Sequence, residues 1–243
     1  MSNIGYYTAG SGVISYQLGM DVTANNLANV NTNGFKAARP SFADLIYTKR
    51  NTDNEKVQFG HGSKVDKTDL MFEQSQLRNT GRILDYAALD EGFFAVQTAT
   101  GETCYTKDGA FYLSHMEDDT YMLCDSAGGF ILDYDGNRIT VPFVEGTTEI
   151  DSAALTEMIG TYKFENPYGL DEASNNYYRA NLSSGEAVSD RSVRKKPRYL
   201  EASSTNVANE MSKVIEYQRA FQLNINMVKT HNQLEDIVNN LRN

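Results

Sequence analysis

The chain has 243 residues, enough for one large or two modest domains. With 40% apolar and 22% charged residues, its composition is that of a folded protein and argues against intrinsic disorder. The balance of 22 Lys and Arg against 32 Asp and Glu gives a net charge of −10, which excludes coating of nucleic acid as the main role. Two Cys and three His supply neither a disulfide framework nor a zinc site, so we expect no metal and no other cofactor.

The sequence also lacks the signals of insertion into, or ordinary passage across, a membrane. No stretch approaches the ~18 consecutive apolar residues of a membrane-spanning helix, so we expect no membrane insertion. The opening MSNIGYYTAGSGV has neither the basic nor the apolar segment of a cleavable secretory signal. If the protein leaves the cell, we expect another export route.

An amphipathic helix is predicted from about Gly5 to Ala28, where apolar residues including Ile14, Leu18 and Leu27 recur at helical spacing. Its glycines each weaken a helix by up to ~1 kcal/mol, so we expect this helix to need a partner surface. The residues that follow favour a turn and end the helix. They include Asn25, Asn26, Asn29, Asn33 and Gly34.

A central β region is predicted because the hydrophobic period changes to two, with turn residues between short runs. The predicted strands are Glu91–Thr98, Thr103–Thr106, Ala110–Ser114, Tyr121–Cys124, Phe130–Leu132 and Arg138–Val141. If these strands form a meander, Cys104 and Cys124 lie about 9–10 Å apart, beyond disulfide reach, and we predict free thiols. The polar stretches Thr48–Gly62 and Asp171–Asn181 are typical of loops.

A second long helix is predicted from Asn206 to about Leu241, roughly 50 Å long because no Gly or Pro interrupts it. The segment Ser203–Asn206 supplies N-cap candidates. The apolar stripe of this helix comprises Val207, Met211, Val214, Phe221, Ile225 and Val228. The two terminal stripes either pack on the chain's own core or meet helices of other copies, and pairing as a coiled coil is the simplest way to bury both.

The predicted fold class is therefore α+β, with long N- and C-terminal helices that pair as a coiled coil around a central antiparallel β domain. We predict an N-terminal helix and Asn-rich assembly loop at residues 1–36, an extended loop at 37–70, the β domain at 71–200 and the C-terminal helix at 201–243.

Motifs for catalysis or ligand binding are weak, and no catalytic residue is predicted. The segment Asp133–Asn137 has glycine at the wrong position for a calcium loop and favours a hairpin turn. Acidic residues such as Asp118 and Asp133 leave a cell-wall glycan hydrolase as an alternative, and an adhesin-like binding module is another. The basic run Arg191–Arg198 is compatible with a nucleic-acid or acidic-lipid patch, or with contact to the acidic surface of a neighbouring copy.

Longer sequence blocks resemble a known family. The segment Ala24–Lys36, ANNLANVNTNGFK, resembles the N-terminal signature of the bacterial flagellar axial proteins, the rod and hook family. Further blocks resemble that family in its own order: Phe42–Tyr47, Ala88–Gln97, Tyr105–Phe111, Tyr199–Met211 and Ile215–Phe221. Together they span nearly the whole chain.

The resemblance implies a non-enzymatic structural subunit of the flagellar basal-body rod, of distal or proximal type. Such subunits are exported unfolded by the flagellar type III apparatus, without a cleaved signal peptide, and polymerise into a helical tube that transmits motor torque to the hook and filament. The implied partners are further copies of the chain, other rod and hook proteins, and the rings around the rod. Expected assembly residues are Ile14, Leu18, Asn25, Asn26, Leu27, Asn29, Asn33, Gly34, Val207, Met211, Val214, Phe221, Ile225 and Val228.

Overall fold

The computed structural model describes residues 4–45, 47–52, 55–116, 120–143 and 150–241. The helices are α1 (Ile4–Ala28), α2 (Ser152–Met158) and α3 (Val207–Leu241). The strands are β1 (Ala38–Asp44), β2 (Tyr47–Thr52), β3 (Glu55–Gly60), β4 (Ser63–Leu70), β5 (Leu77–Asn79), β6 (Tyr86–Ala88), β7 (Phe93–Gln97), β8 (Thr103–Thr106), β9 (Tyr112–His115), β10 (Tyr121–Cys124), β11 (Phe130–Ile131), β12 (Thr161–Lys163), β13 (Asp171–Ala173), β14 (Tyr177–Arg179), β15 (Val188–Ser189), β16 (Lys195–Pro197) and β17 (Tyr199–Glu201). The fold is α+β, with a helix near each end and antiparallel strands between them, as predicted.

Two compact units divide the chain, and each is built from segments far apart in the sequence. Unit 1 comprises Met1–Ala28, Ala38–Leu70 and Asn206–Asn243, and unit 2 comprises Asn29–Ala37 and Met71–Thr205.

Unit 1 contains the two long helices and four strands. Both helices lie where the sequence predicts them, and Asn206 caps α3 because its side-chain Oδ1 accepts a hydrogen bond from the Asn209 amide at 3.2 Å. Strands β1 and β4 pair antiparallel from Ala38 opposite Leu70 to Asp44 opposite Ser63. Strands β2 and β3 form a second antiparallel pair.

The prediction of an extended loop across Thr48–Gly62 is therefore wrong. The residues of β2 are polar at almost every position, and in β3 only Val57 and Phe59 alternate with polar residues, so the periodic signal is very short. Antiparallel backbone pairing joins the two strands from Tyr47 opposite Gly60 to Thr52 opposite Glu55. Strand prediction from periodicity cannot detect such a ribbon.

Unit 2 contains the main antiparallel sheet, in the order β13-β14-β8-β7-β11-β10-β9, with β12 joined to both β7 and β15. One edge of β7 is shared: its first residues, Phe93 and Phe94, pair with β12, and its last residues pair with β11. The core beneath the sheet is apolar. Its members include Phe94, Val96, Phe111, Leu123, Ile131 and Leu155, all fully buried.

Three details of the predicted β region need correction. The strands do not follow a meander, since β7 and β11 lie between the strands of Cys104 and Cys124, but both thiols are free as predicted. Arg138–Val141 forms isolated bridges instead of a strand. The predicted loop Asp171–Asn181 contains the β13–β14 hairpin, whose Asn-rich turn is followed by tyrosines that join the sheet.

Candidate assembly surfaces

Helices α1 and α3 of unit 1 pack antiparallel. The contacts join Tyr6 to His231, Gly12 to Asn224, Tyr16 to Tyr217, and Asn26 to Glu210. As the residue number rises along α1, the number of its partner on α3 falls. The N-terminal and C-terminal segments are thus joined along most of the length of α1.

The face of α1 that is buried in unit 1 is made of small and polar residues. It comprises Ala9, Gly12, Ser15, Gly19, Thr23 and Asn26. A Cβ atom at Gly19 would lie 3.2 Å from the ring of Tyr217, and one at Gly12 would lie 2.9 Å from Oδ1 of Asn224. Two of the glycines that weaken the isolated helix therefore allow α3 to approach closely.

The predicted apolar stripe of α1 lies on a different face. Ile14 is 62% exposed and Leu18 is 45% exposed. These two residues therefore do not form the contact between α1 and α3. On α3, Val207 and Met211 are exposed as well, at 42% and 54%. The remaining predicted stripe residues are half-buried: Leu27, Val214, Phe221, Ile225 and Val228. A contact of these residues with other copies stays a prediction.

Asn26 has a different environment from the one expected for a residue at an assembly surface. It is 1% exposed, and its side-chain amide is fully engaged within unit 1. Its Oδ1 accepts from the amide of Ala38 at 2.9 Å, and its Nδ2 donates to the Ala38 carbonyl at 2.8 Å and to Oε2 of Glu210 at 3.0 Å. Asn26 therefore links α1, β1 and α3, whereas Asn25 lies on the exposed surface of α1.

The loop after α1 belongs to unit 2 and is packed against its strands. Asn29 accepts a hydrogen bond from the Thr32 hydroxyl at 3.1 Å, and the carbonyl of Asn33 accepts one from Nδ2 of Asn176 at 3.1 Å. Gly34 has a φ of +64°, and a Cβ there would lie 2.5 Å from the carbonyl carbon of Lys107. Only glycine satisfies both requirements at this position.

A buried ion pair, which the sequence did not reveal, holds the end of this loop. Lys36 and Glu201 are each 1% exposed, and Nζ of Lys36 lies 2.6 Å from Oε1 of Glu201. Nζ also donates to the carbonyl of Glu73 at 2.8 Å, and the amide of Ser75 donates to Glu201 Oε1 at 2.8 Å. A lone lysine in the segment GFKAARP was the available signal, but its acidic partner is 165 positions away.

A second buried lysine interacts electrostatically with this ion pair. Lys107 is 1% exposed, and its Nζ donates to the carbonyl of Asp90 at 2.8 Å and lies 4.9 Å from the ring centre of Phe93. Burial lowers the pKa of Lys107 to about 8, with Glu201 opposing the shift and Lys36 adding to it. Lys36, Lys107 and Glu201 therefore interact with one another, and the carboxylates of Glu91 and Asp90 also act on Lys107.

The basic run is largely built into unit 2. Strand β16 pairs with β6, and Nζ of Lys195 donates to the carbonyl of Ile159 at 2.8 Å. Lys196 lies 3.7 Å over the ring of Tyr199. The side chain of Arg194 remains 76% exposed, with its guanidinium 3.9 Å from a carboxylate oxygen of Asp90. Residues Lys195–Pro197 of the run thus form a strand, whereas its arginine side chains are exposed.

The acidic residues named as catalytic alternatives do not form a recognisable reaction centre. Asp133 lines an open cleft of about 540 Å³, but its Oδ1 accepts 2.8 Å hydrogen bonds from the amides of Asp135 and Asn137 and so stabilises its own hairpin turn. Asp118 lies outside the described residues.

Within the described ranges, no group of three His, Cys, Asp or Glu residues could hold a metal ion. No helix in the part of the chain that the structure describes is long and apolar enough to cross a membrane.

The chain has two paired long helices, and apolar side chains are exposed along both of them. Such surfaces are typical of a structural protein that associates with other chains. Three family models match the chain. "Flagella basal body rod protein" matches residues 7–36, "Flagellar hook protein FlgE/F/G D1 domain" matches residues 89–155, and "Flagellar basal body rod FlgEFG protein C-terminal" matches residues 196–241.

Similar proteins extend over nearly the whole length. Flagellar basal-body rod protein FlgG of Borreliella burgdorferi is 32% identical, with 97% of each chain covered. The protein of the same name from Bacillus subtilis is 32% identical, covering 96% of this chain and 97% of its own. That of Buchnera aphidicola subsp. Schizaphis graminum is 30% identical, with 92% and 94% covered. The chain belongs to the family of flagellar basal-body rod proteins, and it is a structural protein rather than an enzyme.

Proposed function

We propose that this chain is a rod subunit that polymerises with copies of itself into a helical tube, through which motor torque passes to the hook and filament. The observation that carries the proposal is the row of exposed apolar side chains along both long helices. On α1 they are Tyr7, Ile14 and Leu18, and on α3 they are Met211, Ile215, Leu223, Met227, Leu234 and Leu241.

Within one subunit, the proposed pairing of α1 and α3 is an antiparallel coiled coil. The residues of α3 that contact α1 include Glu210, Tyr217, Asn224 and His231, which follow one another at intervals of seven. A seven-residue interval keeps one seam of a helix facing its partner when the two helices supercoil. The small face of α1 supplies the close approach.

Between subunits, we expect the opposite faces of the helices to pack. Tyr7 and Ile14 are seven residues apart, as are Met227, Leu234 and Leu241, so each helix carries a second, uncovered stripe. Burial of a single Leu or Ile side chain contributes about 1.5–3 kcal/mol, and several such contacts repeated along a tube give a cooperative assembly. A contact between two different faces generates an open helix when its rotation does not close into a ring.

The proposed location is the extracytoplasmic part of the flagellar basal body, reached by the flagellar type III route without removal of a signal peptide. Other rod and hook proteins would be the neighbours at the two ends of the tube, and the surrounding rings would be neighbours at its side. Membership of the rod family supports this placement. Asn25, exposed near the end of α1, is a candidate for contact with adjacent subunits.

The proposal is tested by making the exposed stripe of α1 polar. In the source bacterium, Ile14→Ser with Leu18→Ser should abolish swimming and remove the protein from purified basal bodies. The purified subunit should keep its circular dichroism, because both side chains are already 62% and 45% exposed in the monomer. Gln17→Ser, an exposed polar position of the same helix, is the matched control and should swim normally. Normal rods from the double variant would refute the proposal.

A further inference from the structure

The last turns of α3 extend beyond the start of α1. The ring centres of Tyr6 and His231 lie 5.8 Å apart, and the described part of α1 begins just before Tyr6, at Ile4. Because the two helices are antiparallel, Ile4 faces position 233 of α3. The helix continues to Leu241, about 12 Å further at 1.5 Å per residue. We name residues 234–241 the α3 overhang.

The α3 overhang carries an apolar stripe that continues the seam of α3 facing α1. The contacts of that seam recur every seven residues up to His231, and Val238 follows after another seven. Glu235 and Asp236 lie outside the stripe, and every residue of the overhang is exposed, Leu241 by 83%. The seam is therefore most apolar where the described part of α1 does not cover it. The stripe comprises Leu234, Ile237, Val238 and Leu241.

The opposite end of the helix pair is almost level. Asn26 meets Glu210, so α1 ends at Ala28 close to the start of α3 at Val207. Thr23 and Asn26 are buried within unit 1, and the opposite face of the same turns is exposed. This face has the spacing of the overhang stripe, because each consists of positions n, n+3, n+4 and n+7 of a helix. Its residues are Asp21, Ala24, Asn25 and Ala28.

We infer that the α3 overhang of one copy packs on residues 21–28 of α1 of a second copy. The second α1 occupies the space that the first copy's own α1 leaves open beyond Ile4, and it runs antiparallel to α3 as that helix does. Leu234 then lies beside Ala28, and Val238 lies beside Ala24. The inference rests on the proposed polymerisation and names one contact within it.

A second copy is the occupant because this contact continues an interface that the chain already forms. Within one subunit a large side chain of α3, Tyr217, packs on a small residue of α1, Gly19. Ala24 and Ala28 likewise leave room for the larger aliphatic side chains of the overhang. Asp21 lies at the far end of the contact, where its carboxylate stays in water. The same seam therefore crosses the boundary between subunits.

The two surfaces lie at opposite ends of the helix pair, so one copy uses its α3 overhang while its residues 21–28 receive the overhang of another. Such a contact repeats along an open assembly when its rotation does not close into a ring. Stable interfaces between free proteins use roughly 20–30 residues a side, far more than the four of each surface here. We therefore expect the contact in assembled rods, where neighbouring contacts add to it.

Site-directed crosslinking in assembled rods tests this contact. The double variant Ala24→Cys with Val238→Cys replaces the wild-type chain in the source bacterium, and purified basal bodies are treated with a short bismaleimide. We expect a ladder of species at multiples of the 27.1 kDa subunit mass, and only monomer from either single variant. Within one chain, positions 24 and 238 lie about 39 Å apart along the helices, because Asn26 faces Glu210. A crosslink between them therefore joins two chains.

Two features of the chain control this experiment. The native thiols, Cys104 and Cys124, are buried and give little background. Asn239 is exposed on the other side of the α3 overhang, so Ala24→Cys with Asn239→Cys should give monomer.

Each other result overturns the inference in a recognisable way. Dimers from Val238→Cys alone would show that two overhangs meet each other. Monomer from the double variant, with the chain present in the basal bodies, would exclude the contact and leave the rod role intact. Absence of the wild-type chain from basal bodies would refute the rod role, and the inference with it.

Ala24→Leu tests the fit without a crosslinker. Leu and Ala have similar helix propensities, so this exposed substitution should leave the circular dichroism of the purified subunit unchanged. The larger side chain fills the space assigned to Val238 of the neighbouring copy, and we expect the swimming rate to fall by about half or more. Gln17→Leu, at an exposed position two turns away on the same helix, is the control and should swim normally. Equal swimming of the two variants would contradict the contact.

Discussion

Replacement of the buried charges around Lys36 should reveal which member of the cluster the fold depends on most. Lys36, Lys107 and Glu201 are each 1% exposed, so water screens none of them. Breaking a buried ion pair typically costs about 3–5 kcal/mol, because one charge is left without compensation. The two possible breaks are not equivalent here, since Glu201 favours the charged form of Lys107 whereas Lys36 opposes it.

Lys36→Met leaves the Glu201 carboxylate with a cationic neighbour in Lys107 and with the 2.8 Å hydrogen bond from the Ser75 amide. We expect a loss near the lower end of that range, about 3 kcal/mol. Glu201→Gln instead removes the carboxylate that favours both charged lysines and leaves the repulsion between Lys36 and Lys107, and we expect a loss of about 5 kcal/mol. The double variant Lys36→Met with Glu201→Gln should be more stable than Glu201→Gln alone, since it removes the repulsion between the lysines.

Urea unfolding of the full chain, followed by the near-ultraviolet circular dichroism of its tyrosines, measures these differences. A loss of 3 kcal/mol shifts the midpoint by about 1 M or more at common denaturant slopes. Equal losses in the two single variants, or a larger loss for Lys36→Met, would refute the assignment of Lys107 to the same electrostatic cluster.

Two further predictions concern Lys107 and the loop that packs on it. Because burial lowers the folded pKa of Lys107 to about 8, the folded chain releases this proton at a pH where the unfolded chain still holds it, and Lys107 should contribute about 2 kcal/mol of added stability between pH 8 and 10. Burial raises the pKa of Cys124 and of tyrosines such as Tyr162, which lowers stability over the upper part of this range, so the contribution is measured as the difference between the native chain and Lys107→Met. The native chain should gain this amount relative to the variant in urea midpoints taken between pH 8 and 10, and a constant difference would contradict it. Gly34→Ala combines a φ of +64° with a Cβ 2.5 Å from the Lys107 carbonyl carbon, and it should cost about 3 kcal/mol. Gly81→Ala is the control, since Gly81 has a φ of +73° but no described atom within 4 Å of an added Cβ. It should cost only the backbone strain of a positive φ, about 1–2 kcal/mol. Equal losses of stability in thermal melts of the two variants would show that the Cβ at position 34 causes no steric clash.

The helices and several strands were predictable because their signals are local. From Val207 to Leu241 no Gly or Pro interrupts the helix, and strands such as Thr103–Thr106 are rich in the Thr and Tyr that favour extended backbone. The order of the sheet was not predictable, since β7 divides one edge between β11 and β12, which are about 30 residues apart in the chain. Local patterns specify a strand but not its neighbours.

The packing of α1 against α3 was not predictable from the apolar residues of the two helices. Helical periodicity predicts that the largest apolar residues of α1 lie on the face that pairs with α3. Instead, Gly12 and Gly19 face α3, while Ile14 and Leu18 are exposed. A close contact between helices requires small residues, so glycine marks the seam. This inversion leaves the large apolar residues available for other chains.

The two ends of the sequence are joined by residues of the motifs that identify the family. Asn26 and Lys36 lie in the segment ANNLANVNTNGFK, and their acidic partners, Glu210 and Glu201, lie in the block Tyr199–Met211. Asn26 meets Glu210 within unit 1, and Lys36 meets Glu201 within unit 2. Each unit therefore contains one polar bridge between the N-terminal and the C-terminal motif. Because these four residues are buried, the motif positions that form the bridges maintain the fold of the subunit, and we expect contact with other subunits to involve side chains that the motifs leave exposed.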